Sequence, residues 1–255
     1  MLAIRSDQMK VFEEAAMKGF EDEMVVHSRG FTPELCKVLG EEQLRVAIRR
    51  AISRAGSYGF TYRGPIRLYM EMMYLFGSDF DTDPQYPRLA KILAAPDEQM
   101  QRAELLNEAV LDFQEKVCGS EAANVRRALG DLRILAQRPT TFPMSALVPG
   151  MLLEMRRNYP EIVTYVGEDE LTALIQEGEA EARKHGFPVR GAVLVVSLMF
   201  AFGHGCVSDP LYPWISRTLE DERIADSQAR SERLEKKALT WLEHVLDGPK
   251  AGVKL

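Results

Sequence analysis

The sequence predicts an all-α protein built as two tandem, pseudo-symmetric helical bundles, related by an internal duplication of about 126 residues. Three observations predict it. One set of residues recurs in the same order in both halves. Apolar positions follow helical spacing along the chain. No alternating stretch bounded by turn residues remains as a strand candidate.

The repeat is visible residue by residue. TPELCKVLGEEQL (Thr32–Leu44) matches YPEIVTYVGEDEL (Tyr159–Leu171) at an offset of 127, and GFTYRG (Gly59–Gly64) matches GFPVRG (Gly186–Gly191) at the same offset. After a one-residue slip, Phe76-Gly77 pairs with Phe202-Gly203 and DPQYP (Asp83–Pro87) with DPLYP (Asp209–Pro213), at an offset of 126. Leu93 and Leu219 keep that register. In the closing helices Leu106, Val110, Phe113 and Val117 recur as Leu234, Ala238, Trp241 and Val245, at an offset of 128.

Each half is expected to open on a lead helix (about 7–28 and 147–158), then a short helix and an amphipathic one. In the amphipathic helix Leu44, Ile48, Ala51, Ile52 and Ala55 share one face, as Leu171, Ile175, Gly178 and Ala182 do in the second half. Gly59 and Gly186 stand just past these helices, where a left-handed residue is wanted and glycine carries no Cβ penalty.

The next helices, Pro65–Phe76 and Ala192–Phe202, are apolar on nearly every side and should be the buried centre of each half. Within them Met70, Met72 and Met73 are read mainly as core, with part of the group suited to lining a groove. Asp83-Pro84 and Asp209-Pro210 are expected to start short helices, with the aspartate as N-cap and proline at the first helical position. A long closing helix completes each half.

Ser120–Gln137 has no counterpart and is expected to be a bridging helix, ended by Arg138-Pro139 and a loop to about Ser145. The domain reading is a first repeat at 1–119, a bridge and linker at 120–146, a second repeat at 147–248 and a tail at 249–255. The period far exceeds the roughly 34 to 47 residues of common helical solenoids. A pair of bundles fits it better than a superhelix.

Composition bounds the function. Apolar residues are 46% and charged residues 27%, enough to bury a core and too apolar for disorder. A net charge of −6 argues against nucleic-acid binding through phosphate attraction. Cys36, Cys118 and Cys206 are odd in number and widely spaced, which fits reduced thiols in the cytoplasm. The N-terminus meets charge at its fifth residue and lacks the apolar core of a signal peptide. The longest apolar run, Gly191–Gly203, is 13 residues, short of the roughly 20 needed to cross a membrane.

No constellation reads as catalytic, and no cofactor or metal is expected. Asp79, Asp81 and Asp83 have the spacing that opens a calcium loop, but the glycine and glutamate such a loop requires are Pro84 and Ala90. His204 and Cys206 are potential metal ligands without a second pair, and they fit a polar turn better. Nucleophile elbows, phosphate loops and dinucleotide fingerprints are absent. Pairing of Cys206 with a distant histidine base is the remaining nucleophile reading.

Arg63 and Arg190 recur just before the central helices. They are expected to pair with the recurring Asp83 and Asp209, with loop carbonyls as the other structural option and anion binding as the functional one. Arg45, Arg49, Arg50 and Arg54 form a basic run on the amphipathic helix; the second half has Thr172, Gln176, Glu177 and Glu181 there. A run whose charge reverses between copies reads as a solvated face. It is also the first candidate surface for an acidic partner.

The assembled motifs resemble a family: duplicated all-helical proteins encoded beside bacterial type VI secretion effectors. The residues carrying the likeness are Phe12 and Phe20, Leu39-Gly40-Glu41, Tyr58-Gly59, Leu75-Phe76-Gly77 and FDTDPQYP (Phe80–Pro87), within about residues 8–95. Arg88 follows where the family commonly has tryptophan; the second half has Trp214. The resemblance implies a non-enzymatic protein-binding module, an adaptor or chaperone for a secreted effector, with an immunity protein as one alternative. A small-molecule or enzymatic site in the cleft between the repeats is the other.

Overall fold

The central helices of this chain end at glycines, Gly77 and Gly203, and others begin at prolines, Pro33, Pro87, Pro160 and Pro213. The computed structural model describes residues 6–137 and 142–246, and among them all regular structure is helical. The first half runs α1 (Ser6–Phe31), α2 (Pro33–Ser57), α3 (Arg63–Phe76), α4 (Pro87–Ala94) and α5 (Gln99–Phe113). A π-helical turn (Gln114–Cys118) and a 3-10 turn (Ser120–Ala122) lead into α6 (Ala123–Gln137). After a 3-10 turn at Met144–Ala146 come α7 (Leu147–Asn158), α8 (Pro160–Val166), α9 (Glu168–Lys184), α10 (Val189–Phe202), α11 (Pro213–Leu219) and α12 (Ser227–Leu246).

The short and amphipathic helices of the first half are run together as α2, broken by Gly40 at φ +73°; in the second half Gly167, at φ +101°, separates α8 from α9. Gly59 and Gly186 follow α2 and α9 at φ +74° and +66°, the left-handed geometry expected of them. The expected helix starts at Asp-Pro are corrected. Residues 83–86 and 209–212 are turns, and α4 and α11 begin at the second proline, Pro87 and Pro213. The aspartates instead close their own turns, Asp83 accepting from the Gln85 amide and Asp209 from the Leu211 amide, both at 2.8 Å.

Two cores result. The first gathers Phe20, Leu44, Ile48, Tyr69, Met70, Met72, Met73, Phe76, Phe80 and Leu106. Met70, Met72 and Met73 are at most 1% exposed, so they are core and line no groove. The second core centres on α10, buried along its length from Gly191 to Met199 and again at Phe202. Each such fully buried large side chain stabilises by about 1.5–3 kcal/mol.

The cores are joined, not merely adjacent. Ala47 of α2 belongs to the second, Leu35 and Leu39 pack on it from the start of α2, and Tyr74 of α3 touches both. Leu132 and Leu129 of α6 also pack into the second core, so the bridging helix completes that half. The expected bridge end at Arg138-Pro139 and the 249–255 tail lie outside the described residues, as do the side chains of Phe12 and Val245. No described helix is long and apolar enough to cross a membrane.

Candidate functional site

The chain leaves α3 and α10 through Gly77 and Gly203, both at φ +92°. There the two halves meet backbone to backbone. A Cβ on Gly77 would fall on the Phe202 carbonyl oxygen, and one on Gly203 would lie 2.6 Å from the Phe76 carbonyl oxygen. Only glycine fits both the space and the backbone angle.

Each turn aspartate reaches across this contact. Asp209 accepts the Ser78 amide at 2.8 Å and its hydroxyl at 2.5 Å, while Asp83 accepts the His204 amide at 2.7 Å. Burial pushes both carboxyls above their ordinary value, and the amide hydrogen bonds oppose it. The Arg63–Asp83 and Arg190–Asp209 pairs expected from sequence are therefore corrected. Arg63 ion-pairs with Glu23 at 2.7 Å and lies over the Phe20 ring; Arg190 grips Glu235 at 2.7 and 2.8 Å. The reason is length: the arginines open 14-residue helices and the aspartates lie beyond their far ends, about 20 Å away.

The calcium-loop aspartates are likewise engaged. Asp79 takes Arg50 at 2.6 Å. Asp81, with a fully buried side chain, takes Arg54 on one oxygen and the Tyr69 hydroxyl on the other, at 2.9 Å. Burial first, then the Asp81 charge, pushes the nearby Tyr58 hydroxyl up to about 12. Among the described residues no three His, Cys, Asp or Glu side chains are grouped to hold a metal.

His204 bonds Thr82 through Nε2 at 3.1 Å and Glu177 through Nδ1 at 3.0 Å. Cys206 is fully buried, and burial pushes its thiol well above the ordinary value. That is the opposite of an activated nucleophile.

The solvated-face reading of the basic run on α2 holds for Arg49 and not for its neighbours. Arg45 is held by Glu21, Asp22 and Glu41, Arg49 by Glu21, Arg50 by Asp79 and Arg54 by Asp81. Only Arg49 is mostly exposed, at 55%. Carboxylates from α1 and the 77–83 turn fold over this helix and neutralise what reads in isolation as a basic patch.

A cavity of about 780 Å³ opens elsewhere, in the cleft where α4 and α5 of the first half face α8 of the second. Its walls are Phe76, Tyr86, Phe113 and Tyr165, with Gln85, Arg88, Asp112 and Lys116 as polar lining. Phe113 stands edge-on to Phe76, Tyr86 and Tyr165 at 5.1, 5.9 and 5.4 Å between centroids. Asp112 collects Lys116 at 2.6 Å, the Tyr165 hydroxyl at 3.0 Å and Arg88 at 3.1 Å. Lys116 and then Tyr165 hold the Asp112 carboxyl below its usual range. Gln85 is 1% exposed; its amide nitrogen donates to Asp83 and to the Met199 carbonyl, and its Oε1 is buried without a partner.

No family model, curated protein or solved structure matches the chain.

The cavity combines an aromatic wall, two cations sharing the Asp112 carboxylate and one unsatisfied acceptor, which suits binding more than bond-breaking. Of its polar residues only Arg88 is singled out from sequence, as a departure from a tryptophan and not as a site residue. The signal was present in the comparison of the two halves: Gln85, Arg88, Asp112 and Lys116 stand where the second half has Leu211, Trp214, Thr240 and His244.

Proposed function

We propose that the chain is a non-enzymatic protein-binding module acting in the cytoplasm as adaptor or chaperone for a secreted type VI effector. The observation that carries the reading is the open aromatic cleft between the halves, while the candidate catalytic and metal-binding side chains elsewhere are spent on internal partners. The effector assignment rests on the resemblance of FDTDPQYP and its neighbouring motifs.

The halves are read as two pseudo-symmetric bundles from one internal duplication, at 1–119 and 147–248, with 120–146 between them. Matched geometry supports this. Gly77 and Gly203 share φ +92°, and Asp83 and Asp209 make reciprocal bonds. The rings Phe76, Tyr86 and Phe113 are arranged like Phe202, Tyr212 and Trp241.

Co-purification of the full chain from its native host, with identification of any secreted effector it retains, tests the proposal. A complex burying over about 1,000 Å² should survive gel filtration. An effector that elutes free of the chain at micromolar concentration would overturn it. An immunity role would instead appear as rescue of cells expressing the toxin.

A further inference from the structure

The two halves differ at the cavity. Tyr212 and Trp241 of the second half form the same edge-to-face ring arrangement as Tyr86 and Phe113, and Trp214, at the position equivalent to Arg88, packs against the second core. The first half has Arg88 there, 56% exposed, and a cavity beside it. At this position the second half places a tryptophan on its core, and the first half has none.

From this we infer that the cleft receives an aromatic side chain of a partner protein, flanked by an acidic residue. The inference rests on the protein-binding reading and names the chemistry of what enters. A ring inserted among Phe76, Tyr86, Phe113 and Tyr165 would gain the edge-to-face contacts these rings favour.

Gln85 adds an independent sign. Its Oε1 is buried and unpartnered in a residue that lines the cavity, while the equivalent Leu211 needs no partner. An indole N–H or phenol O–H is the chemistry that satisfies such an acceptor. Charge supplies the neighbour. Arg88 and Lys116 share the single carboxylate Asp112, and Glu161 on the opposite wall is paired with Arg127, so the rim favours a carboxylate beside the ring.

The test uses the full chain and blocked dipeptides, acetyl-Trp-Asp-amide and acetyl-Ala-Asp-amide, titrated by NMR. Acetyl-Trp-Asp-amide should saturate, with shifts confined to the rings of Tyr86, Phe113 and Tyr165, and acetyl-Ala-Asp-amide should not. The variant Arg88→Trp copies the second half. It should weaken the tryptophan peptide by about tenfold or more, with an unchanged or raised melting temperature that shows the fold intact. Gln85→Leu should weaken it less.

No saturable shift, or equal binding to Arg88→Trp, would overturn the inference. If Arg88→Trp still retains the effector that co-purifies with the unaltered chain, the aromatic anchor is wrong while the protein-binding reading stands. If the unaltered chain retains no effector, that broader reading fails by itself. Binding of free N-acetyl-tryptophan with effector retention unaffected by Arg88→Trp would make the occupant a small molecule and overturn the partner assignment.

Discussion

The Asp209 carboxylate accepts both the backbone N–H and the hydroxyl of Ser78, 131 residues away, at 2.8 and 2.5 Å. Asp83 returns the contact by accepting the His204 amide. Each half therefore completes the polar groups at the other's central helix end, and neither end is satisfied without its neighbour. Replacing Asp209 with alanine strands the Ser78 amide and hydroxyl and the Leu211 amide in a buried site. We expect Asp209→Ala to cost about 3 kcal/mol or more, read from the urea midpoint at constant slope. A loss below about 0.5 kcal/mol, the range of a surface change, would contradict it.

The glycine contact makes a second prediction. Gly77→Ala sets a methyl against the Phe202 carbonyl at φ +92°, so both space and backbone oppose it. The expected loss is about 3 kcal/mol or more. Gly19→Ala is the control, because it lies within α1 and its added methyl meets nothing within 4 Å. It should be neutral or stabilising by about 0.5–1 kcal/mol. Thermal melts of the two variants separate these outcomes.

The buried aspartates also set a pH dependence. Burial raises their carboxyls above the ordinary 3.8, so just above that value the folded chain holds more protons than the unfolded one. This contribution is fully present below 3.8 and is lost as pH rises through the folded values. Surface acids paired with cations, such as Glu41 and Asp112, are lowered and act in the opposite sense. Subtracting the stability curve of Asp209→Asn from that of the wild type isolates the first effect. The difference should fall as pH rises above 3.8; a rising difference would contradict the assignment.

The arginines of α2 should separate sharply. Arg54→Ala strands the buried Asp81 carboxylate, for an expected cost of about 3–5 kcal/mol. Arg49, exposed and sharing Glu21 with Arg45, should cost less than about 1 kcal/mol. Chemical denaturation of both variants checks the ranking, and equal losses would contradict it.

Much of the fold is legible in the sequence because helical periodicity is local. The apolar run of α10 and the glycines after α2 and α9 report on their own neighbourhoods, and the structure places them accordingly. Partners set by the packing of distant segments are not legible in that way. Asp83 and Asp209 look like helix caps because Asp-Pro is locally a cap signal, yet their carboxylates are drawn to amides of the opposite half. Arg50 and Arg54 look solvated because Asp79 and Asp81 arrive from a turn beyond α3. The Arg88-for-Trp214 difference is written in the sequence, but the cavity beside Arg88 becomes visible only once the ring walls are placed.

Equilibrium urea unfolding followed by two signals tests the central claim, that the halves hold each other as one unit. Both tryptophans, Trp214 and Trp241, lie in the second half, so fluorescence reports that half while circular dichroism reports helices of both. The reciprocal aspartates predict one transition with coincident midpoints, shifted together by Asp209→Ala. Separate transitions, with fluorescence and circular dichroism melting at different urea concentrations in the wild type, would contradict it.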